Sequence, residues 1–345
     1  MIRIDYHRIA AICMVVLLAI GSGLQAQQLD RVVDLNGLWK FSIGDDPHWA
    51  DPKYDDSGWE QLRVPGSWEE QGFHGYDGYA WYRKTFTLPK SDMNYNFYLQ
   101  LGFIDDVDEV YLNGKKIGHT GQFPPQYTTA FNAWRLYMIP QKYLYLSDKI
   151  TVAVRVYDQG GAGGIVHGKV GLMVDRSSVL PELDLQGDWK FRTGFCADQP
   201  ESREYENWEN IVVPGIWEDQ GHKNYDGTAC YVTEFDLENK FRGKRMVLLL
   251  GKIDDLDMVY INGTLIGQSG DFEVETVRKY SEMYKQQRGY YIPPDVLKEN
   301  GTNVLVVKVL DYTGLGGIWD GSVGLITQDK YIEYWRNKRN SINNY

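Results

Sequence analysis

The chain has 345 residues and a formal net charge of −11, with 43% hydrophobic and 14% aromatic residues. That length allows two ordinary domains, and the composition can fill a core in each. The acidic balance argues against a nucleic-acid or anionic-membrane partner, because phosphate binding draws on basic surface to release counterions; a neutral, hydroxyl-rich ligand fits better.

At the N-terminus, Arg3, His7 and Arg8 precede an apolar run from Ile9 to Ile20, and GSGLQAQQ then offers small residues for cleavage after Ala26. The pattern predicts a signal peptide over 1–26 and an exported protein, periplasmic or extracellular. The run is too short to span a bilayer comfortably, and no later segment is apolar enough, so no membrane insertion is expected. Cys13 sits inside the apolar run rather than after it, which argues against lipidation.

The rest of the chain reads twice. DLNGLWKF (Asp34–Phe41) returns as DLQGDWKF (Asp184–Phe191), and VPGSWEEQGFHGYDG (Val64–Gly78) as VPGIWEDQGHKNYDG (Val213–Gly227). IDDVDEVYLNGKKIG (Ile104–Gly118) and IDDLDMVYINGTLIG (Ile253–Gly267) share ten of fifteen positions. RLYMIP from Arg135 matches RGYYIP from Arg288, and GGIVHGKVGL from Gly163 matches GGIWDGSVGL from Gly316. The offset is 150 at Trp39/Trp189, 149 from Trp68/Trp217 to Gly121/Gly270, and 153 from Arg135/Arg288 onward. Insertions are thus confined to two connections while the core register holds, as in a duplicated domain rather than a solenoid.

Within each copy, YNFYLQLGF, KITVAVRVYD, RMVLLLGKI and NVLVVKVLD have strand lengths and β-branched or aromatic composition. Val110 and Leu112 (Val259 and Ile261) share a strand face, and Asn113-Gly114 or Asn262-Gly263 predicts a tight hairpin. No long amphipathic helix appears. The expected architecture is all-β: two tandem jelly-roll β-sandwiches over 27–178 and 179–330, parted at the polar stretch DRSSVLPE, with a tail over 331–345. The tail matches neither copy and reads equally as a short docking helix or a solvated end. Cys196 and Cys230 follow the signal and lie in the second copy, where an oxidising compartment would permit a disulfide.

Taken in order, W-x-F, V-P-G-x-W-E, Y-D-G-x-A-x-Y, I-D-D-x-D-x-V-Y-x-N-G and G-G-I-x-x-G-x-V-G-L resemble the N-terminal sugar-binding domain of family 2 glycoside hydrolases, the β-galactosidases and β-glucuronidases. The resemblance implies a galactose-binding-like jelly roll, present here as a pair. It also implies that the loop after Val-Pro and the aspartate at the strand end approach a sugar. Carried over by motif, these are Ser67 and Asp105 in copy one and Ile216 and Asp254 in copy two; Ile216 has no hydroxyl-bonding group. The family's catalytic barrel needs about 250 further residues, both copies are used up by sandwiches, and the Asn-Glu dipeptide of its general acid does not occur in the sequence. Catalytic residues are expected to be absent.

Asp105, Asp106 and Asp108 repel one another unless a cation or several donors answer them. Arg135/Arg288 or Arg155/Lys308 are the partners shared by both copies. A buried structural network is the favoured reading, with a direct sugar contact and a calcium site as alternatives. On a regular strand, Asp105 and Asp106 point to opposite faces and do not flank one glycosidic bond. The histidines show no ligand spacing, so no metal set is predicted, and GQSG (Gly267–Gly270) repeats GHTG as a turn rather than a nucleophile motif.

A sugar's C–H face stacks on an aromatic ring while its hydroxyls bond neighbouring polar groups. The ligand-contact candidates are therefore Ser67, Trp68, Tyr76, Trp81, Arg83, Asp105, Trp134 and Arg135, with Trp217, Tyr225, Asp254, Arg288 and Trp319 in copy two. Trp81, Trp134 and Trp319 are not shared between copies, as packing common to the fold would be, and the loop 122–134 is unrelated to its counterpart 271–287. Trp39 and Trp189 read as core. The expected function is non-catalytic carbohydrate binding. Docking onto a separately encoded glycosidase, or a β-galactosidase-like hydrolase acting alone, are the alternatives.

Overall fold

Apolar runs punctuated by Gly, Asn and Pro build two sets of antiparallel strands in this computed structural model, which describes residues 29–88, 95–144, 149–270, 272 and 283–342. The expected signal peptide lies outside the described residues. In the first half the strands are β1 (Leu29–Asp34), β2 (Gly37–Ile43), β3 (Glu60–Val64), β4 (Gly78–Thr87), β5 (Asn96–Asp105), β6 (Val107–Leu112), β7 (Lys115–Thr120), β8 (Trp134–Ile139), β9 (Lys149–Asp158), β10 (Gly164–His167) and β11 (Gly171–Asp175). The second half has β12 (Leu183–Asp184), β13 (Gly187–Thr193), β14 (Glu209–Val213), β15 (Gly227–Asp236), β16 (Met246–Asp254), β17 (Leu256–Ile261), β18 (Thr264–Ser269), β19 (Gln287–Tyr291), β20 (Thr302–Asp311) and β21 (Gly317–Thr327).

Each half contributes two sheets. In the first, β3-β2-β4-β9-β6-β7 faces β1-β11-β5-β10, with β8 on the other edge of β5. In the second, β14-β13-β15-β20-β17-β18 faces β12-β21-β16-β19. The long β21 does alone what β10 and β11 do together. Alternation then fills each interior: Trp39, Phe41, Leu99, Leu101, Val110 and Val154 in one core, Trp189, Phe191, Leu248, Leu250, Val259 and Val307 in the other. The all-β tandem-sandwich expectation holds.

The Asn-Gly hairpins also form as expected. Asn113 and Asn262 have φ of 49° and 52°, a left-handed conformation that Asn tolerates better than most residues. Asn113 Oδ1 accepts from the Thr151 N–H at 2.9 Å and its Nδ2 donates to the Tyr143 carbonyl at 3.1 Å, so the turn is tied to the next sheet strand.

The outer face of each six-stranded sheet is covered by a loop, and the two loops are pinned differently. In the first half Trp81, on β4, packs with Trp49, Trp59 and Tyr111, while Arg83 Nε donates to Asp56 at 2.7 Å and Nη1 to the Asp51 carbonyl at 3.1 Å. In the second half Cys230 replaces Trp81 and forms a disulfide with Cys196. The C-terminal stretch folds as a helix, Gln328–Ile342, docked by Tyr334 Oη on the Ser177 carbonyl at 2.9 Å and by Lys330 Nζ on Glu182 at 2.6 Å.

The two halves meet along the outer face of β5. Asn96 Nδ2 donates to Ser322 Oγ at 2.9 Å and Tyr98 Oη to Asp320 Oδ1 at 3.0 Å, while Lys223 Nζ reaches Gln122 Oε1 at 2.7 Å.

Candidate functional site

The doubled aspartates divide into two groups. Asp108 is fully buried on β6, where Arg135 Nε donates to it at 2.7 Å and Tyr137 Oη at 2.5 Å. Arg135 is equally buried, and its remaining donors hold the Ala130, Ala133 and Asp106 carbonyls at 2.5, 2.6 and 2.9 Å. Asp257, Arg288 and Tyr290 repeat this arrangement at 2.8 and 2.5 Å. Of the two basic pairs foreseen for the aspartates, Arg135/Arg288 is the one that engages; Arg155 goes to Asp45 and Lys308 to Asp198. Burial pushes the Asp108 carboxyl upward against the pull of Arg135. Arg135 and Arg288 therefore brace a loop and have no surface to offer a sugar.

The strand is not regular at Asp105. β5 ends there and β6 begins at Val107, so the two neighbouring carboxylates converge instead of parting. Asp158, at the end of β9, joins them: one oxygen from each of Asp105, Asp106 and Asp158 lies within 4.8 Å of the others. Asp254, Asp255 and Asp311 repeat the cluster. Burial and the adjacent Asp106 push Asp105 up to about 7. Burial also acts on Asp106, but the Thr129 and Tyr127 hydroxyls and the Gln159 N–H outweigh it and hold that carboxyl below its usual value. Asp158 is raised to about 6, by burial first and then by Asp106 and Glu69. In the second copy burial raises Asp254 and Asp311 to about 7 each. Sequence reasoning grouped Asp108 with the pair and missed Asp158 and Asp311, which lie 52 residues beyond Asp106 and 56 beyond Asp255; the shared Y/L-D ending of β9 and β20 was the available signal.

Most of the aromatic candidates are interior. Trp68 and Trp217 are fully buried; Trp68 Nε1 donates to the Tyr76 carbonyl at 3.0 Å, and Trp217 Nε1 to Glu218 at 2.6 Å. They cannot stack on a ligand from there. Tyr76 and Tyr225 spend their hydroxyls on the Tyr79 and Thr228 carbonyls, both at 2.7 Å. Ser67 Oγ accepts from the Glu70 N–H at 3.4 Å, at the start of a short 3-10 turn. Trp81 and Arg83 are buried under their covering loop. Copy-specific packing, not ligand contact, explains why these two are unshared.

Trp134 is different. It is 47% exposed on β8 and stands across β5 from His167 on β10. Phe103 lies between them, 5.2 Å from Trp134 with the rings near-perpendicular and 4.7 Å from His167 with the rings stacked. Phe131 nearby is 54% exposed. The second copy has Lys252, Gln287 and Asp320 at the positions of Phe103, Trp134 and His167, and Lys252 pairs with Asp320 at 2.8 Å. One outer face thus carries an aromatic row and its equivalent an ion pair. Phe103 and His167 escaped sequence reasoning, although their divergence between copies marked them.

Trp319 lies in the cleft between the halves, with Lys252 Nζ 4.8 Å from its ring centre. That cleft, shared with Lys116, Ile216 and Asp219, encloses a cavity of about 100 Å³, below the roughly 300–1,000 Å³ of small-molecule sites. A larger hollow of about 380 Å³ in the second half is walled by Leu237, Lys244, Arg245, Pro293 and Glu299.

Comparison with known proteins agrees with this architecture. Residues 44–162 match the family described as the β-galactosidase second all-beta domain. A putative β-glucuronidase of Formosa agariphila is 32% identical over 120 residues, which is 31% of this chain and 11% of that protein. A β-galactosidase of Bacteroides ovatus is 30% identical over 97 residues, 25% of this chain and 11% of its own length. Among solved structures, the Bacteroides uniformis β-glucuronidase aligns over 82% of this chain and 28% of its own, with 19% identity and a TM-score of 0.36. The chain spans about a tenth of the length of the curated relatives it matches. By the sequence matches, about a third of the chain is related to domain-length segments of family 2 glycoside hydrolases, the β-glucuronidases and β-galactosidases.

Proposed function

We propose that this chain binds carbohydrate, without hydrolysing it, through the outer face of its first sandwich. The observation that carries this reading is the aromatic row Trp134–Phe103–His167, set across three adjacent strands with Trp134 open to solvent. Strands hold such rings rigidly, so a sugar's C–H face meets a surface already formed. Relation to segments of sugar-processing enzymes supports a saccharide over other flat apolar ligands.

The acid clusters do not suit glycoside hydrolysis. That reaction places a sugar between two carboxyls, about 5–5.5 or 6.5–9.5 Å apart. Here Asp106 and Asp158 are buried, so the clusters present no pair of open carboxyls for a sugar ring to sit between.

Titration calorimetry of the full chain with galactosides, glucuronides and soluble polysaccharides tests the proposal. Binding should appear and weaken about tenfold in Trp134→Ala, the loss of roughly 1.5 kcal/mol of aromatic contact. No binding to any saccharide overturns it, and co-purification with a glycosidase in that case favours a docking subunit. Turnover of nitrophenyl glycosides that Asp105→Asn abolishes would establish catalysis instead.

A further inference from the structure

Asp158 and Asp311 are equivalent, each at the end of a long strand and each fully buried. In both, Oδ1 accepts from the N–H two residues on, Gly160 or Thr313, at 2.9 Å. Oδ2 in both has no hydrogen-bond partner among the described residues. A buried carboxylate oxygen without a donor bears the full cost of leaving water, and here that cost recurs at the same atom in both copies.

Other oxygens beside the clusters are also poorly partnered among the described residues. The Tyr82 and Tyr231 hydroxyls are buried and make no hydrogen bond of full geometry among the described residues. Both face the glycine pairs beside the cluster: a Cβ on Gly164 would stand 2.4 Å from Tyr82 Oη, one on Gly317 3.0 Å from Tyr231 Oη, and one on Gly163 2.8 Å from Asp158 Oδ2. Gly164 pairs in register with Asp105, and Gly317 with Asp254. Arg135 and Arg288 touch the Asp106 and Asp255 carbonyls, but their other donors are taken by Asp108, Asp257 and loop carbonyls. Glu69 adds a further buried oxygen without a partner.

We propose that each cluster is a calcium site, formed by Asp105, Asp106 and Asp158 in the first sandwich and by Asp254, Asp255 and Asp311 in the second. Calcium binds carboxylate and carbonyl oxygens at about 2.3–2.6 Å, so two ligands of one ion stand at most about 5 Å apart. The three carboxylates meet that limit in both copies. The ion would give the orphan Oδ2 a partner and add positive charge beside acids whose nearest guanidiniums, Arg135 and Arg288, are bonded to Asp108 and Asp257. It also joins β5 to β9, and β16 to β20, which belong to opposite sheets of their sandwiches. The site therefore clips each sandwich shut at one end. It does not depend on whether a saccharide binds at Trp134.

Calorimetric titration of calcium into the EDTA-treated full chain, with thermal unfolding alongside, tests this. Two ions per chain are expected, with Kd on the order of 10⁻⁴–10⁻³ M or tighter, and an unfolding temperature raised by calcium. Asp158→Asn should weaken one site at least about tenfold and Asp311→Asn the other, each isosteric change leaving the far-ultraviolet spectrum unaltered. Should a variant fail to fold, elemental analysis of the dialysed wild-type chain still counts the ions. Absence of binding and of any thermal shift at about 10 mM calcium, well above the range of weak sites, overturns the proposal. So does binding that survives both substitutions.

Discussion

Replacing Arg135 with Ala separates a structural brace from a ligand contact. The guanidinium is fully buried, 2.7 Å from Asp108 and 2.5–2.9 Å from three carbonyls. Alanine leaves Asp108 as a buried charge answered only by the Tyr137 hydroxyl at 2.5 Å. Removing one partner of a buried pair costs about 3–5 kcal/mol. The three abandoned carbonyls add to this, although water entering the vacated space meets some of them. Against a domain stability of about 5–15 kcal/mol, the loss brings the first sandwich close to unfolding and lowers its midpoint by roughly 6–20 °C. Thermal and urea unfolding of the full chain measure it, with Arg288→Ala as the mirror experiment on the second sandwich. A loss under about 0.5 kcal/mol, the range of ordinary surface changes, refutes the brace. Unchanged stability with lost saccharide affinity would make Arg135 a contact residue after all.

Three further outcomes follow from the same structure. Gly163→Ala and Gly316→Ala put a Cβ 2.1 and 2.0 Å from the Trp68 and Trp217 rings; both should destabilise by about 1–3 kcal/mol or more in thermal unfolding, as overpacked cores do. Cys196→Ser should cost the second sandwich about 3–4 kcal/mol, given a closed loop of sequence separation 34, and a reductant should lower the second transition while leaving the first in place. Burial, with the Asp108 carboxylate and Glu218, pushes Asp219 up to about 7 against the pull of Lys116. A folded pKa above the unfolded value of about 3.9 means the group's stabilising effect is full below about pH 4 and is lost as pH rises toward 7. Asp219→Asn should therefore outlast the wild type at about pH 8 and match it near pH 4 in melting experiments; equal melting at both values would refute the shift.

The scaffold was legible because period-2 alternation, Asn-Gly turns and the repeat all report on backbone and core, and the core dictates register. The aspartate trio was legible only in part. Asp105 and Asp106 are neighbours in sequence, but their third member arrives from a strand of the opposite sheet, and pairing across a sandwich leaves no local spacing to read. The tryptophans misled for a related reason. A Trp beside an acidic loop suits a sugar site and a core equally well, and only the approach of Gly163 and Gly316 to the Trp68 and Trp217 rings shows which applies. Trp134 was identified by its lack of a counterpart, yet Trp81 lacks one too and is buried.

The contrast between those two tryptophans shows where the copies were free to diverge. Trp81 and Cys230 occupy one position, and either a ring cluster with Arg83 or a disulfide closes the same loop over the same strand. The pin changed while the loop stayed covered, so that position answers to packing. At Phe103 and Lys252 the change replaces a half-open aromatic row by an ion pair while the strands beneath keep their register. In the second copy that ion pair serves the packing of the halves, since Asp320 also accepts from Tyr98 and Lys252 lies over Trp319, whereas in the first copy the aromatic row stays open. The proposed saccharide binding is therefore expected to be unequal between the halves, with the first sandwich holding the ligand and the second contributing the frame against which Tyr98 and Asn96 dock.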